Sequence, residues 1–398
     1  VKIAVLCHPS AGGSGVVATE LALALASLGH DAHVIATEMP FRLSGASLPR
    51  SRPDPTRLET RGQVYFHRIE GSSYPLFHEP MTVLTAANTL ADVIEEHGID
   101  LIHAHYAIPH ATSAILAREM VGGVRVVTTL HGTDVTLVGL EPAFARTTRH
   151  AIANSDAVTA VSNYLAQHTH DIMHVPEAIQ VVYNWVDPDR FRPIKDPGYR
   201  SRFALPDEAI VMHASNFRAV KRPEDVIRIF AGIAAKRAAR LLLIGDGPER
   251  PRCLELARKL RVSDRVHFLG SLPMLETVLG VADLFLLPSS EESFGLVALE
   301  AMACAVPVVS SDAGGIPEVV MDGETGFVRP VGDVLGMSEA SLEVLEPEYR
   351  TEMGERGRIR AIRQFRPGVI LPKYIDVYNR VLGQKGSVQH TNSATNAV

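Results

Sequence analysis

A chain of 398 residues is too long for one compact core and suits two domains of ordinary size. With 46% hydrophobic and 21% charged residues it has a globular composition, and no apolar run reaches bilayer-crossing length. A net charge of −6 excludes a basic field for nucleic acid or membrane, so any anionic ligand must be held by a few placed Arg and Lys residues.

The first predicted strand, Ile3–Cys7, is too short for a signal peptide and runs straight into a glycine turn, so the expected location is cytoplasmic. The turn, Cys7-His8-Pro9-Ser10-Ala11-Gly12-Gly13-Ser14-Gly15, leads into an apolar helix over Val16–Leu28. Glycines there let backbone approach a ligand closely, and the helix start adds N–H donors. The turn lacks the Gly-x-Gly-x-x-Gly fingerprint and only Glu38 lies near the end of the second strand, which disfavours a dinucleotide; a plain strand-to-helix turn is the competing reading.

Strands follow at Ala32–Thr37, Val64–Arg68, Leu101–His105, Val124–Thr129 and Ala157–Val161, with a helix over Met81–Glu96. Pro40–Gly62 has no clear period and reads as a mobile loop. His103 and His105 form a His-x-His pair, and His170 and His174 lie four apart on a helical stretch. Either could be half a zinc site, but neither has a third ligand at motif spacing, so both read as structural. His131, followed by Gly132 at a strand's carboxyl end, points towards a ligand rather than into the core. Cys7, Cys253 and Cys304 lie far apart, without metal spacing, and read as buried free thiols.

Val186–Pro193, with two prolines and mixed charge, reads as the interdomain linker. A second alternating series has strands at Ile210–Ala214, Arg240–Ile244, Val266–Leu269, Leu284–Leu287 and Pro307–Ser310. Ser215-Asn216-Phe217-Arg218-Ala219-Val220-Lys221-Arg222-Pro223 places three cations in a strand-to-helix loop, with Pro223 suited to the first helical position. Glu291-Glu292-Ser293-Phe294-Gly295-Leu296 then links a buried strand to an apolar helix carrying Glu300. Its helix start suits a phosphate, and Glu300 can accept from vicinal hydroxyls such as a ribose pair. The expected domains are 1–187 and 188–366, with a helix at about 367–383 packing back on the first and a disordered tail at 384–398. The fold class is α/β: two doubly wound, Rossmann-like domains facing a cleft.

Glu292 and Glu300 with seven residues between them, Ser-Phe-Gly among these and Ala-Met-Ala-Cys-Ala-Val-Pro behind, resemble the signature of retaining glycosyltransferases of the GT-B fold. The resemblance implies catalytic roles for Arg218, Lys221, Glu292 and His131. The two cations neutralise a leaving pyrophosphate, whereas Glu292 and His131 orient the donor sugar, and Arg222 is a weaker substitute. It implies donor contacts from Gly13, Asn216, Arg218, Lys221, Glu292, Phe294, Gly295, Leu296 and Glu300, and no metal or cofactor. His103-Ala104-His105-Tyr106-Ala107-Ile108-Pro109-His110-Ala111 and Thr129-Leu130-His131-Gly132-Thr133-Asp134 narrow the likeness. They resemble the transferases that move N-acetylglucosamine from UDP to L-malate in the first step of bacillithiol biosynthesis.

That family implies UDP-GlcNAc and L-malate as substrates and acceptor contacts from Ser14, Tyr106, Thr129 and Arg149. Arg149 has the forked guanidinium a carboxylate needs, although a surface ion pair is the competing reading. His150 stands where the family commonly has Phe, a change expected to alter packing, and Ala305 stands where Gly is usual, a change expected to be tolerated. Rival readings are a transferase with an inositol phosphate acceptor, a UDP-GlcNAc 2-epimerase and an idle nucleotide-sugar-binding protein. Neither nucleic acid nor membrane is an expected partner; a homodimer is compatible with the sequence.

Overall fold

The computed structural model describes residues 1–10, 13–44, 62–71, 81–175, 178–272 and 274–383. Most of the expected loop, 45–61, and the expected tail, 384–398, lie outside the described residues. The chain divides into two compact units, Val1–Val182 with Leu371–Val398, and Tyr183–Ile370. No described helix is long and apolar enough to cross a membrane.

The first unit is built on seven parallel strands: β1 (Lys2–Leu6), β2 (Asp31–Ala36), β3 (Val64–Arg68), β4 (Leu101–His105), β5 (Arg125–Leu130), β6 (Ala157–Ala160) and β7 (Ile179–Val181). Their order is β3-β2-β1-β4-β5-β6-β7. The central strands are apolar on both faces because helices cover both sides of a parallel sheet. Leu6, Ile102, Ala104 and Val126 pack with Leu90 and Ile94 of the helix Thr82–His97 and with Ile115 of the helix Thr112–Val121. The helix Ser14–Ser27 starts tight against the turn before it. A Cβ on Gly15 would lie 2.6 Å from the His8 carbonyl oxygen, so only glycine fits.

The second unit has six parallel strands: β8 (Ala209–Ala214), β9 (Ala239–Ile244), β10 (Val266–Gly270), β11 (Leu284–Leu287), β12 (Val308–Ser311) and β13 (Gly326–Arg329), ordered β10-β9-β8-β11-β12-β13. The helix Pro223–Ala234 opens on proline with Glu224 and Asp225 in its first turn, both favourable at the positive dipole end. It buries Val226, Ile229, Phe230 and Ile233, one face at helical spacing.

Two edge strands, β7 and β13, escape the sequence pattern. β7 has three half-buried residues, too few for alternation to register. β13 opens on Gly326, whose Cβ would meet the Val308 carbonyl oxygen at 2.0 Å. There, glycine is required for strand contact rather than marking a turn. The expected loop also differs at its start, where Phe41–Ser44 forms a short helix with Leu43 fully buried.

Val186–Pro193, expected as the linker, belongs to the second unit. The Val186 N–H donates to the Phe365 carbonyl at 2.9 Å, and Arg358 donates to the carbonyls of Pro188 and Phe191 at 3.2 and 3.0 Å. The C-terminal helix, Pro367–Val381, spans the division; its Tyr374 and Tyr378 are buried in the first unit. All three cysteines are free and buried.

Ala305 has φ +57°, in the left-handed region where a Cβ is strained, which accounts for the family's glycine there. Ala305→Gly should therefore stabilise the protein by about 0.5–1 kcal/mol. A urea unfolding midpoint that failed to rise would contradict this account of the position.

Candidate active site

In both sheets the strand order reverses once, and on either side of that reversal the connecting helices leave on opposite faces. The loops there diverge, and ligands bind in the gap beyond the carboxyl ends of the strands. The reversal falls between β8 and β11 in the second unit and between β1 and β4 in the first. The candidate residues follow these strands and their neighbours.

In the second unit, the loop after β8 carries Asn216, Arg218 and Lys221, and the loop after β11 carries Glu292 and Gly295. Lys221 Nζ donates to Glu292 Oε2 at 2.6 Å, with the side chains 23% and 15% exposed, so the pair joins the two loops where water is largely excluded. The Ser290 N–H donates to the Val220 carbonyl at 2.8 Å, a second tie between them. Arg218 and Asn216 are exposed, and among the described residues no carboxylate pairs with Arg218. Arg222 is engaged elsewhere: its Nε and Nη2 reach Asp225 Oδ2 at 2.6 and 2.5 Å.

The helix expected after the Phe-Gly break runs Leu296–Ala303, with Gly295 at φ +89° as its N-cap. A β-carbon there would be strained by φ rather than by lack of space, since its nearest neighbour would be 3.6 Å away. Arg358 donates to the Ala303 carbonyl, placing a cation at the negative end of this helix dipole. Glu300 lies in its second turn, half-buried. Phe294 corrects an expectation. Its side chain is 2% exposed and packs between Tyr183 and Phe365 at ring distances of 5.8 Å, so it anchors the loop and leaves only its backbone to a ligand.

In the first unit, Gly13 (φ +58°) and Ser14 follow β1, Tyr106 follows β4 and His131 follows β5. His131 Nε2 lies 2.9 Å from His105 Nδ1, and its ring packs edge-on to Tyr106 at 5.2 Å. Tyr106 has φ +94°, a conformation costing on the order of 1–3 kcal/mol for a non-glycine residue. Buried Asp134 holds it in place. Its Oδ2 accepts from the Ala107 N–H at 2.9 Å, and its Oδ1 from the N–H groups of Gly132 at 2.9 Å and His131 at 3.2 Å. Asp134 therefore clamps the loop after β4 to the loop after β5. Sequence reasoning passed over it as one letter of a motif.

Thr129 also departs from expectation. It is fully buried, with its hydroxyl 2.7 Å from both His103 Nε2 and Thr159 Oγ1, so it supports the site's wall instead of facing an acceptor. His103 is equally internal, its Nδ1 2.7 Å from Tyr378 Oη. Arg149 is exposed on the helix Ala145–Ala153, which packs against the segment Ala107–Ala111. Its Nε donates to the Ala145 carbonyl at 3.2 Å, and among the described residues no carboxylate pairs with it. His150 is exposed beside Asn154, so replacing a family Phe there does not alter packing. His170 Nδ1 bonds the Val175 carbonyl at 2.9 Å and His174 is the helix C-cap, so that pair forms no half-site.

Burial holds the imidazoles around His131 neutral. His103, His110 and His131 are each pushed down to about 3, chiefly by loss of water, with neighbouring imidazoles adding to it at the last two. Asp134 is pushed up to about 6 by burial, against its backbone donors. These histidines bind protons more weakly folded than unfolded, so the unfolded state takes up protons first as pH falls below about 6.5. Their contribution to stability is complete above that value and is lost down towards about 3. Asp134 acts oppositely, since its folded form holds the proton more tightly, and offsets part of the loss below about 6. The net expectation is a melting temperature that falls between pH ~7 and ~5. A flat or rising profile would contradict neutral burial of these rings.

Comparison with known proteins matches this geometry. Residues 199–360 fit the model of the glycosyl transferases group 1, and residues 11–190 that of glycosyltransferase family 4. The chain is 41% identical to the N-acetyl-alpha-D-glucosaminyl L-malate synthase of Bacillus anthracis, over 96% of this chain and 97% of that protein. It is 28% identical to a D-inositol 3-phosphate glycosyltransferase of Acidothermus cellulolyticus, over 94% and 87%. Sucrose-phosphate synthase of Thermosynechococcus elongatus shares the fold with TM-score 0.79 at 24% identity, over 96% and 99% of the two chains. Anabaena HepE, solved with UDP and glucose, does so with TM-score 0.75 at 20% identity, over 94% and 98%. The chain is a glycosyltransferase of the GT-B fold: it belongs to the family of the Bacillus anthracis N-acetyl-alpha-D-glucosaminyl L-malate synthase and carries a group 1 glycosyl transferase domain.

Proposed function

We propose that the chain transfers N-acetylglucosamine from UDP-GlcNAc to the hydroxyl of L-malate with retention at the anomeric carbon, the first step of bacillithiol biosynthesis. The donor half of the reading rests on the Lys221–Glu292 pair of 2.6 Å, which holds an ammonium at the strand-order reversal of the second unit. The acceptor half rests on the 41% identity to a malate-using relative.

In this scheme Glu300 accepts from the ribose hydroxyls, and backbone N–H groups at Gly295 and Leu296 donate to the diphosphate. The anomeric C–O bond breaks with its electron pair moving to the β-phosphate oxygen. Arg218 and Lys221 neutralise the growing charge, so the reaction as proposed needs no metal or cofactor. The malate hydroxyl oxygen bonds to the anomeric carbon on the face the phosphate leaves, and its proton passes to the departing phosphate. His131 stays neutral and orients the sugar, a role suited to a ring whose proton affinity burial has lowered. Ser14, Tyr106 and Arg149 hold the malate carboxylates.

Lys221→Ala should lower kcat about 100–1,000-fold, the scale for losing one preorganised charge-stabilising group. Its stability should fall, since the change leaves Glu292 without its partner where water is largely excluded, but the chain should remain folded by circular dichroism. Turnover near the parent value would remove Lys221 from the mechanism. Incubation with UDP-GlcNAc and separate acceptors should give an α-linked GlcNAc–malate by mass and anomeric coupling. A product only with inositol phosphate, or free sugar without any acceptor, would sink the acceptor assignment.

A further inference from the structure

Away from these loops the first unit gathers three histidines that no sequence motif connects. His33 lies in β2, His67 in β3, and His97 ends the helix Thr82–His97. The register of β2 on β3 sets Ile35 opposite His67, so His33 and His67 are diagonal neighbours on one face. One ligating nitrogen from each ring lies within 4.8 Å of the others, and His33 Nδ1 and His67 Nε2 are 2.9 Å apart. The ring centroids are 4.8–5.1 Å apart, with Tyr65 stacked on His33 at 4.6 Å.

Packing alone is a poor reason for this arrangement. His33 is 2% exposed, and aliphatic side chains would fill the same space without desolvating three polar rings.

We propose that His33, His67 and His97 form a transition-metal site of the zinc class, fastening the edge strand β3 and the end of the helix Thr82–His97 to β2. Neutral imidazole is a preferred ligand of Zn²⁺, with Zn–N about 2.0–2.1 Å, which sets nitrogen pairs at about 3.3 Å in a tetrahedron. The 2.9 Å pair opens by a few tenths of an ångström to meet this, and His97 closes in. His67 and His97 are half-buried, leaving the fourth position to water. Glu96 Oε2, 3.9 Å from His97 Nε2, is a nearby anion that offsets the ion's charge.

The test uses the full chain, freed of metal by a chelator, then titrated calorimetrically with ZnCl₂ and, separately, with CoCl₂ under visible absorption. The expected result is one ion per chain, a tetrahedral Co²⁺ spectrum, and a melting temperature that rises with Zn²⁺ concentration. His97→Gln and His67→Gln should each weaken binding at least about 100-fold, exceeding the loss from an outer-shell partner. Both variants should melt like the parent in chelator, which separates ligand loss from misfolding. If the double variant His67→Gln/His97→Gln binds as tightly as the parent, or the parent binds no ion, the site does not exist. Transferase turnover of the chelated variants is a separate readout, so failure of this proposal leaves the catalytic reading untouched.

Discussion

The second unit depends on a topological constraint, the reversal of strand order between β8 and β11. Helices leaving the two strands cannot both cover the ground above them, so the loops part. A parted pair of loops would be mobile and full of water, and the Lys221–Glu292 bond closes it at one point. The tie costs desolvation of two charges, which an isolated surface pair would not repay. Its value lies in preorganisation, because an ammonium already fixed at the gap need not be reoriented as charge develops on a leaving phosphate.

The first unit solves the same problem with neutral groups. Its reversal is lined by His131, Tyr106 and the backbone at Gly13, and the carboxylate beside them, Asp134, is turned inward onto three backbone N–H groups. That clamp holds Tyr106 in a left-handed conformation and settles where the loop after β5 ends. Behind it, His103, Thr129, Thr159 and Tyr378 form a hydrogen-bonded layer that reaches the C-terminal helix. The end of the chain thereby supports the wall of a site built from its beginning.

The strands that carry the site were legible because each is a short, mainly apolar run, even where His or Thr enters it in β4, β5 and β8, ended by Gly, Pro or a polar cluster. Lys221 and Glu292 could be singled out because cations and acids at strand ends stand out against such runs. Burial was harder to read. Phe294 and Thr129 sit in the same motifs as exposed neighbours, and only packing reveals that one anchors a loop and the other faces inward. Asp134 gave a sequence signal, an acid two residues after a strand-end glycine, but its partner at Ala107 is set by sheet order. His33, His67 and His97 had no signal, since strand register and a helix end bring them together.

The loop after β8 shows how the fold sorts chemically equal cations into different work. Arg222 sits at φ +49° immediately before the helix, and its guanidinium is held by Asp225, whose side chain is 7% exposed. Asp225 Oδ1 is taken in turn by Arg228 at 2.8 Å, so withdrawing Arg222 would take one of two cations from a buried carboxylate. An incoming diphosphate cannot recruit that charge cheaply. Among the described residues Lys221 pairs with the single carboxylate of Glu292, and a diphosphate can share its ammonium, which has three N–H donors, without displacing Glu292. Arg218 is exposed with no carboxylate partner among the described residues, so it is the cation a diphosphate meets with least competition. A loop with three positive charges thus offers two to a ligand, one pre-placed and one adaptable, and uses the third to start a helix.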